Sequence, residues 1–225
     1  MHIEPGLVDG TKIVLSYAKG GAALLYTAKL CLESARVRGP LSIVVRSLAT
    51  TALVFSFFEI LPHHPVGVSE VHLILGSTLF LVFGAAPAAV GLALGLLLQG
   101  LFFAPFDLPQ YGMNVTTLLV PLFALTGVAK RIIAADTPYV ELSYRQAFAL
   151  SATYQGGIVA WVAFWAFYGQ GFTAANVSAI ASFGGAYLLV IAIEPLVDLA
   201  VLAAAKALRG LTGSAALERR LFQPG

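Results

Sequence analysis

The sequence predicts an all-α, polytopic membrane protein, and three observations carry that prediction. Of its 225 residues, 59% are hydrophobic and only 11% are charged, where soluble domains carry roughly 25% charged residues. Its mean hydropathy is +0.87. Apolar runs that approach or exceed the length needed to cross a bilayer, about 20 helical residues, recur along the whole chain. A water-soluble fold of this size would have too few charges to cover its surface.

Taken in order, the apolar runs predict seven helices over 12–32, 41–62, 71–84, 88–104, 113–129, 146–169 and 176–205. The third run, VHLILGSTLFLVFG, is the shortest and spans about 20 Å at 1.5 Å per residue. There is no soluble domain, no Gly-rich nucleotide loop and no internal repeat, so residues 1–225 are expected to form a single transmembrane domain. Within it, 1–11 is an N-terminal loop and 206–225 a basic tail. The start carries Glu4 and Asp9 and no basic cluster, unlike a secretory signal; Met1 is therefore expected to be retained with its amino group free. The single cysteine, Cys31, excludes an intrachain disulfide framework and a cysteine-rich metal site. No basic run suggests nucleic acid.

Basic residues orient the chain in the cell membrane. With the amino terminus outside and the carboxy terminus inside, the inner loops hold Arg36, Arg38, Lys130, Arg131 and Arg145, with Arg46 just inside the second span. The tail adds Lys206, Arg209, Arg219 and Arg220, while the outer segments hold only Lys12. In that orientation all four histidines fall on the outer side: His2, His63 and His64 in loops, and His72 at the start of the third helix.

A histidine at position 2 offers three nitrogens from two residues: the amine of Met1, the backbone amide nitrogen of His2 and its imidazole. A fourth nitrogen from another histidine completes a plane of donors, a geometry that favours Ni(II) or Cu(II) over tetrahedral Zn(II). His63–His64 reads as a solvated loop between Pro62 and Pro65, and is the weaker ligand candidate. His72 is the stronger one, because Gly76 and Ser77 after it allow close approach of a loop.

These residues resemble a known family. MHIEPG is similar to the Met-His-Ile-x-x-Gly opening of the nickel/cobalt substrate-binding (S) components of energy-coupling-factor (ECF) ABC transporters. VHLILGSTLFLVFG resembles their His-containing third helix, and LQGLFFAPFDLPQYGMNV their Gln-x-x-x-Phe-Gly … Gly-x-Asn stretch. The likeness covers much of the first 130 residues; beyond them it lies mainly in hydropathy. The chain departs in placing its acid at Glu4, ahead of Pro5, and in lacking a glycine after the phenylalanine of APFD. The resemblance implies transported Ni2+ or Co2+ held by Met1, His2 and His72, with Asn114 helping to hold the inserted N-terminal loop. It also implies a transmembrane coupling (T) protein and two cytoplasmic ATPase subunits as partners, with no ATP site, catalytic residue or prosthetic group in this chain.

Charges within apolar spans are functional candidates by default. Glu59, in the outer half of the second span, is placed to attract a cation or orient His2 or His72, or else to partner Lys12 or loop amides. Glu194 and Asp198, one turn apart on the last helix, are expected to pair with Arg46 or other inner arginines rather than to line an ion path. Gly91 and Gly95 mark close helix packing. Two competing readings are a membrane metalloenzyme using the outer histidines with Glu59 as acid or base, and a structural membrane protein.

Overall fold

Glycine and proline set the joints of a helical bundle. The computed structural model describes residues 2–207 and 214–224; Met1 and Arg209 lie outside the described residues. Seven α-helices follow one another among them: α1 (Ile13–Arg38), α2 (Pro40–Ile60), α3 (Gly76–Phe83), α4 (Ala85–Phe102), α5 (Tyr111–Ile132), α6 (Tyr144–Gln170) and α7 (Ala174–Ala207). Gly39 ends α1 and Pro40 opens α2 at a position where its missing N–H costs nothing. Ser143 and Gln146 form a capping box at the start of α6, each side chain bonding the other's backbone N–H.

Five segments are long and apolar enough to cross a membrane: α2, α4, α5 with its preceding 3-10 turn (Pro105–Gln110), α6 and α7. The chain is thus a multi-pass helical membrane protein. α1 is long but carries Lys19, Lys29, Glu33, Arg36 and Arg38. α3 has eight residues, about 12 Å of helix, too short to span alone.

The predicted third helix over 71–84 is corrected here. Its first residues belong to a β-hairpin of β1 (His64–Val66) and β2 (Ser69–Val71), and His72 lies in the loop after β2. Hydropathy does not distinguish a buried strand and loop from a helix. The chain then turns through Leu75, whose φ of +56° is left-handed. Such a conformation costs a branched residue on the order of 1–3 kcal/mol, and it redirects the backbone into α3.

The N-terminal segment lies along β2. Ile3 bridges Ser69, the Glu70 N–H donates to the His2 carbonyl (3.0 Å), and the Glu4 N–H donates to the Val68 carbonyl (3.2 Å). Ile3 is fully buried. α4 packs along α2, with α5 between α1 and α6, and α7 against α6. A Cβ on Gly91 or Gly95 would come within 2.4 Å of Thr50 or 2.6 Å of Val54, so this glycine pair serves packing of α4 on α2 within the chain.

At the opposite end of α2, residues 214–224 fold back onto the bundle rather than trailing as a tail. Glu218 Oε2 accepts from Arg46 Nη1 at 2.8 Å, and Glu218 Oε1 from Arg38 Nη1 at 3.3 Å. Arg46 therefore does not pair with Glu194 or Asp198, contrary to expectation. Its guanidinium is held at the α3–α4 joint, where Nη1 also donates to the Phe83 carbonyl (2.7 Å). Gly84 makes that joint possible: its φ is +86°, and a Cβ there would lie 2.3 Å from Glu218 Oε2.

Candidate metal site

The hairpin, the last turn of α2 and the α4–α5 connection converge on the inserted N-terminal segment. His2 and His72 are both buried, with ring centroids 5.7 Å apart, and Phe58 of α2 packs against both rings. Between them stands Glu70. Its Oε2 lies 2.7 Å from His2 Nδ1 and 2.9 Å from His72 Nε2. One atom from each of His2, Glu70 and His72 lies within 4.8 Å of the others. Two nitrogens on opposite sides of a metal are about 4 Å apart when each bond is about 2.0 Å, so small adjustments close the cluster around an ion.

The far side of the His2 ring is fixed as well. Its Nε2 lies 2.7 Å from Gln99 Oε1 and 3.8 Å from Asp107 Oδ2. An N–H at Nε2 donated to these oxygens leaves Nδ1 as the coordinating nitrogen, the arrangement by which outer oxygens orient metal-ligating histidines. The backbone is tied down in parallel. Ile3 N–H donates to Asn114 Oδ1 (2.9 Å), and Ser69 Oγ donates to the His2 carbonyl (2.9 Å).

Electrostatics prepare the cluster for a cation. Burial pushes the His72 imidazole down to about 3, so it stays neutral near physiological pH. Burial alone would raise the Glu70 carboxyl, but hydrogen bonds from His2 and His72 outweigh it and hold Glu70 well below the usual carboxylate range. A neutral imidazole beside an ionised carboxylate is a donor set suited to a divalent transition metal.

His2, His72 and Asn114 thus come together. Glu59 does not join them: it is half-buried on the last turn of α2, and makes no hydrogen bond or ion pair among the described residues, while its neighbour Phe58 faces the rings. Lys12, its expected alternative partner, donates to the Gly169 carbonyl (2.9 Å). His64 is exposed in β1, whereas the exposed His63 ring stacks on His72 at 4.9 Å and 10°. Sequence reading passed over Glu70, Gln99 and Asp107. Glu70 lies two residues before His72 on alternating strand geometry, a signal legible only once 69–71 is read as a strand.

Comparison with known proteins agrees with this architecture. No curated protein matches the chain. Two solved structures share the fold: a transition metal transporter, with 18% identity and a TM-score of 0.69 over 93% of this chain and 94% of that one, and a truncated transition metal transporter, with 18% identity and a TM-score of 0.68 over 92% and 99%. A family model, cobalt uptake substrate-specific transmembrane region, matches residues 2–210. With nearly its whole length matched, the chain belongs to the CbiM family of cobalt uptake substrate-specific transmembrane regions.

Proposed function

We propose that this membrane metal-uptake component is the substrate-capturing S component of an energy-coupling-factor transporter, taking Ni(II) or Co(II) from the outer side. The observation that carries the reading is the convergence of His2, Glu70 and His72 on one buried point. The metal is held by the Met1 amine, the amide and Nδ1 nitrogens of His2 and a nitrogen of His72, with Asn114 and Gln99 holding the inserted segment. A plane of nitrogens favours Ni(II) among the divalent ions considered. Glu70 bridges the two imidazoles in the metal-free chain, and the protons that the metal displaces pass to solvent.

In this reading the 1–11 segment is the chelating element and the His2 end of the bundle faces outward. The end rich in arginine faces inward, towards a transmembrane coupling protein and two ATPase subunits. Those partners hydrolyse ATP; this chain captures the cargo.

The decisive experiment alters only the amino terminus. Full-length protein with a native terminus is compared by calorimetry with protein acetylated at Met1 or extended by one residue, using Ni(II) and Co(II) salts. Affinity should fall by more than about 100-fold, the upper range for losing a residue that merely supports a metal site. Unchanged affinity in the blocked protein would defeat the proposed ligand set.

A further inference from the structure

Five residues beyond His72, the first turn of α3 enters a second polar cluster inside the bundle. Ser77 Oγ lies 3.1 Å from Glu194 Oε1 and 2.8 Å from Asp198 Oδ2. Thr78 Oγ1 donates to Asp198 Oδ1, and Gln155 Nε2 of α6 donates to Glu194 Oε2. Glu194, Asp198, Ser77 and Gln155 are all 0% exposed. The titratable groups facing the acids are Tyr154 of α6 and Tyr187 of α7. Among the described residues no lysine, arginine or histidine pairs with or acts on either carboxylate, and Arg46 is bound to Glu218.

Two ionised carboxylates cannot remain in such a place. The N-terminus of a helix such as α3 contributes roughly half a positive charge, against two full negative ones. Buried carboxylates without a counter-charge neutralise by taking up a proton, and like-charged carboxyls sharing a site retain one between them. The hydrogen count agrees. Ser77 has one hydroxyl hydrogen and two carboxylate oxygens in reach, so when it donates to one acid it must accept from the other. An independent sign is the Gln155 side chain, fully buried and bonded to Glu194 through Nε2, whose Oε1 has no hydrogen-bond partner. The Tyr154 hydroxyl, also fully buried and within electrostatic reach of Glu194, has none either. Both oxygens can accept, and a protonated Glu194 would bring one O–H donor into a cluster that otherwise leaves them without one.

We infer that Glu194 and Asp198 form a buried proton-binding site, sharing a proton at neutral pH around Ser77 and so fastening the first turn of α3 to α7. The proton exchanges with solvent and no metal ion is required to fill the site. Through Ser77 and the left-handed turn at Leu75, the same proton steadies the backbone leading back to His72, which Tyr187 also contacts from α7.

The test uses the full chain in lipid nanodiscs, compared by infrared spectroscopy with the doubly isosteric variant Glu194→Gln/Asp198→Asn. The wild type should show, at neutral pH, a protonated-carboxyl C=O band equal to one group per chain that the variant lacks. Its melting temperature should also fall as pH rises through and above neutrality, because there the folded chain holds a proton that the unfolded chain has already lost. The variant should show a flatter profile. A wild-type spectrum without a protonated carboxyl at neutral pH overturns the proposal, whether or not the variant folds. So does a band abolished by replacing potassium with sodium or magnesium salts, which would assign the site to a metal cation.

Discussion

Both ends of the bundle are closed by a chain segment returning from a terminus, yet they are closed with different chemistry. At one end residues 2–4 pair with β2, and the contacts are imidazoles around a single carboxylate. At the other, Glu218 anchors residues 214–224 to the guanidinia of Arg46 and Arg38. A guanidinium has no lone pair to offer and stays protonated, so the second plug presents no nitrogen that could ligate a metal. An imidazole can exchange its proton for a metal ion, which gives the first plug donor atoms that could hold a metal. The contrast also explains why, among the described residues, the interior acids of α7 meet no base: the fully buried Arg46 is already paired with Glu218.

The largest effect separating the two ends should come from His72→Ala. Metal affinity is expected to fall by more than about 100-fold in calorimetric titrations with Ni(II) and Co(II), with His2→Ala behaving alike. Equal losses from His63→Ala or His64→Ala would break the assignment. His63 only stacks on His72, and an aromatic pair of this kind is worth about 0.5–1.5 kcal/mol, less at an exposed position.

Glu218→Ala should do the reverse. Breaking a buried ion pair costs about 3–5 kcal/mol. Glu218 is 23% exposed, and the Phe83 and Ser42 carbonyls and the Ser34 hydroxyl still receive the Arg46 donors, so a loss of about 1–3 kcal/mol in folding stability is expected. Metal affinity should stay within about threefold of wild type, since the sites lie at opposite ends of α2 and share no partner. A large loss of affinity would show that the two ends are coupled.

The smallest and most graded effect is that of pH on the proposed metal site. Metal displaces protons from its donors, so affinity should decline as pH falls. His72, neutral until about pH 3, takes no part in that decline near neutrality; an α-amino group, ordinarily near pKa 7.7–8.0, begins it. In the metal-free chain His72 binds fewer protons when folded than when unfolded between pH 6.5 and about 3. The His72 contribution to stability is therefore lost as pH falls through that window, measurable as a melting temperature that drops relative to that of His72→Gln as pH falls.

Much of the molecule was legible in one dimension, and the errors have physical causes. Hydropathy marked all seven helices, and five of them are long and apolar enough to cross a membrane, because burial of an apolar stretch in lipid depends on the stretch itself. It misread 71–75, where an apolar run is buried by a neighbouring segment instead. Gly91 and Gly95 announced close packing, but only the fold names Thr50 and Val54 as the surfaces met. Arg46 announced a buried partner, yet that partner is 172 residues away.

The sequence by itself determined the membrane class and the chelating potential of a histidine beside the amino terminus, and it singled out His72 as the candidate complement, because each depends on residue identity and local order. Tertiary structure alone decided that Glu70 stands between the two imidazoles, that Gln99 and Asp107 fix the outer nitrogen of His2, and that Glu194 and Asp198 meet Ser77 rather than an arginine. Those contacts join residues up to 121 positions apart, and only the packing of α3, α4 and α7 brings them within reach.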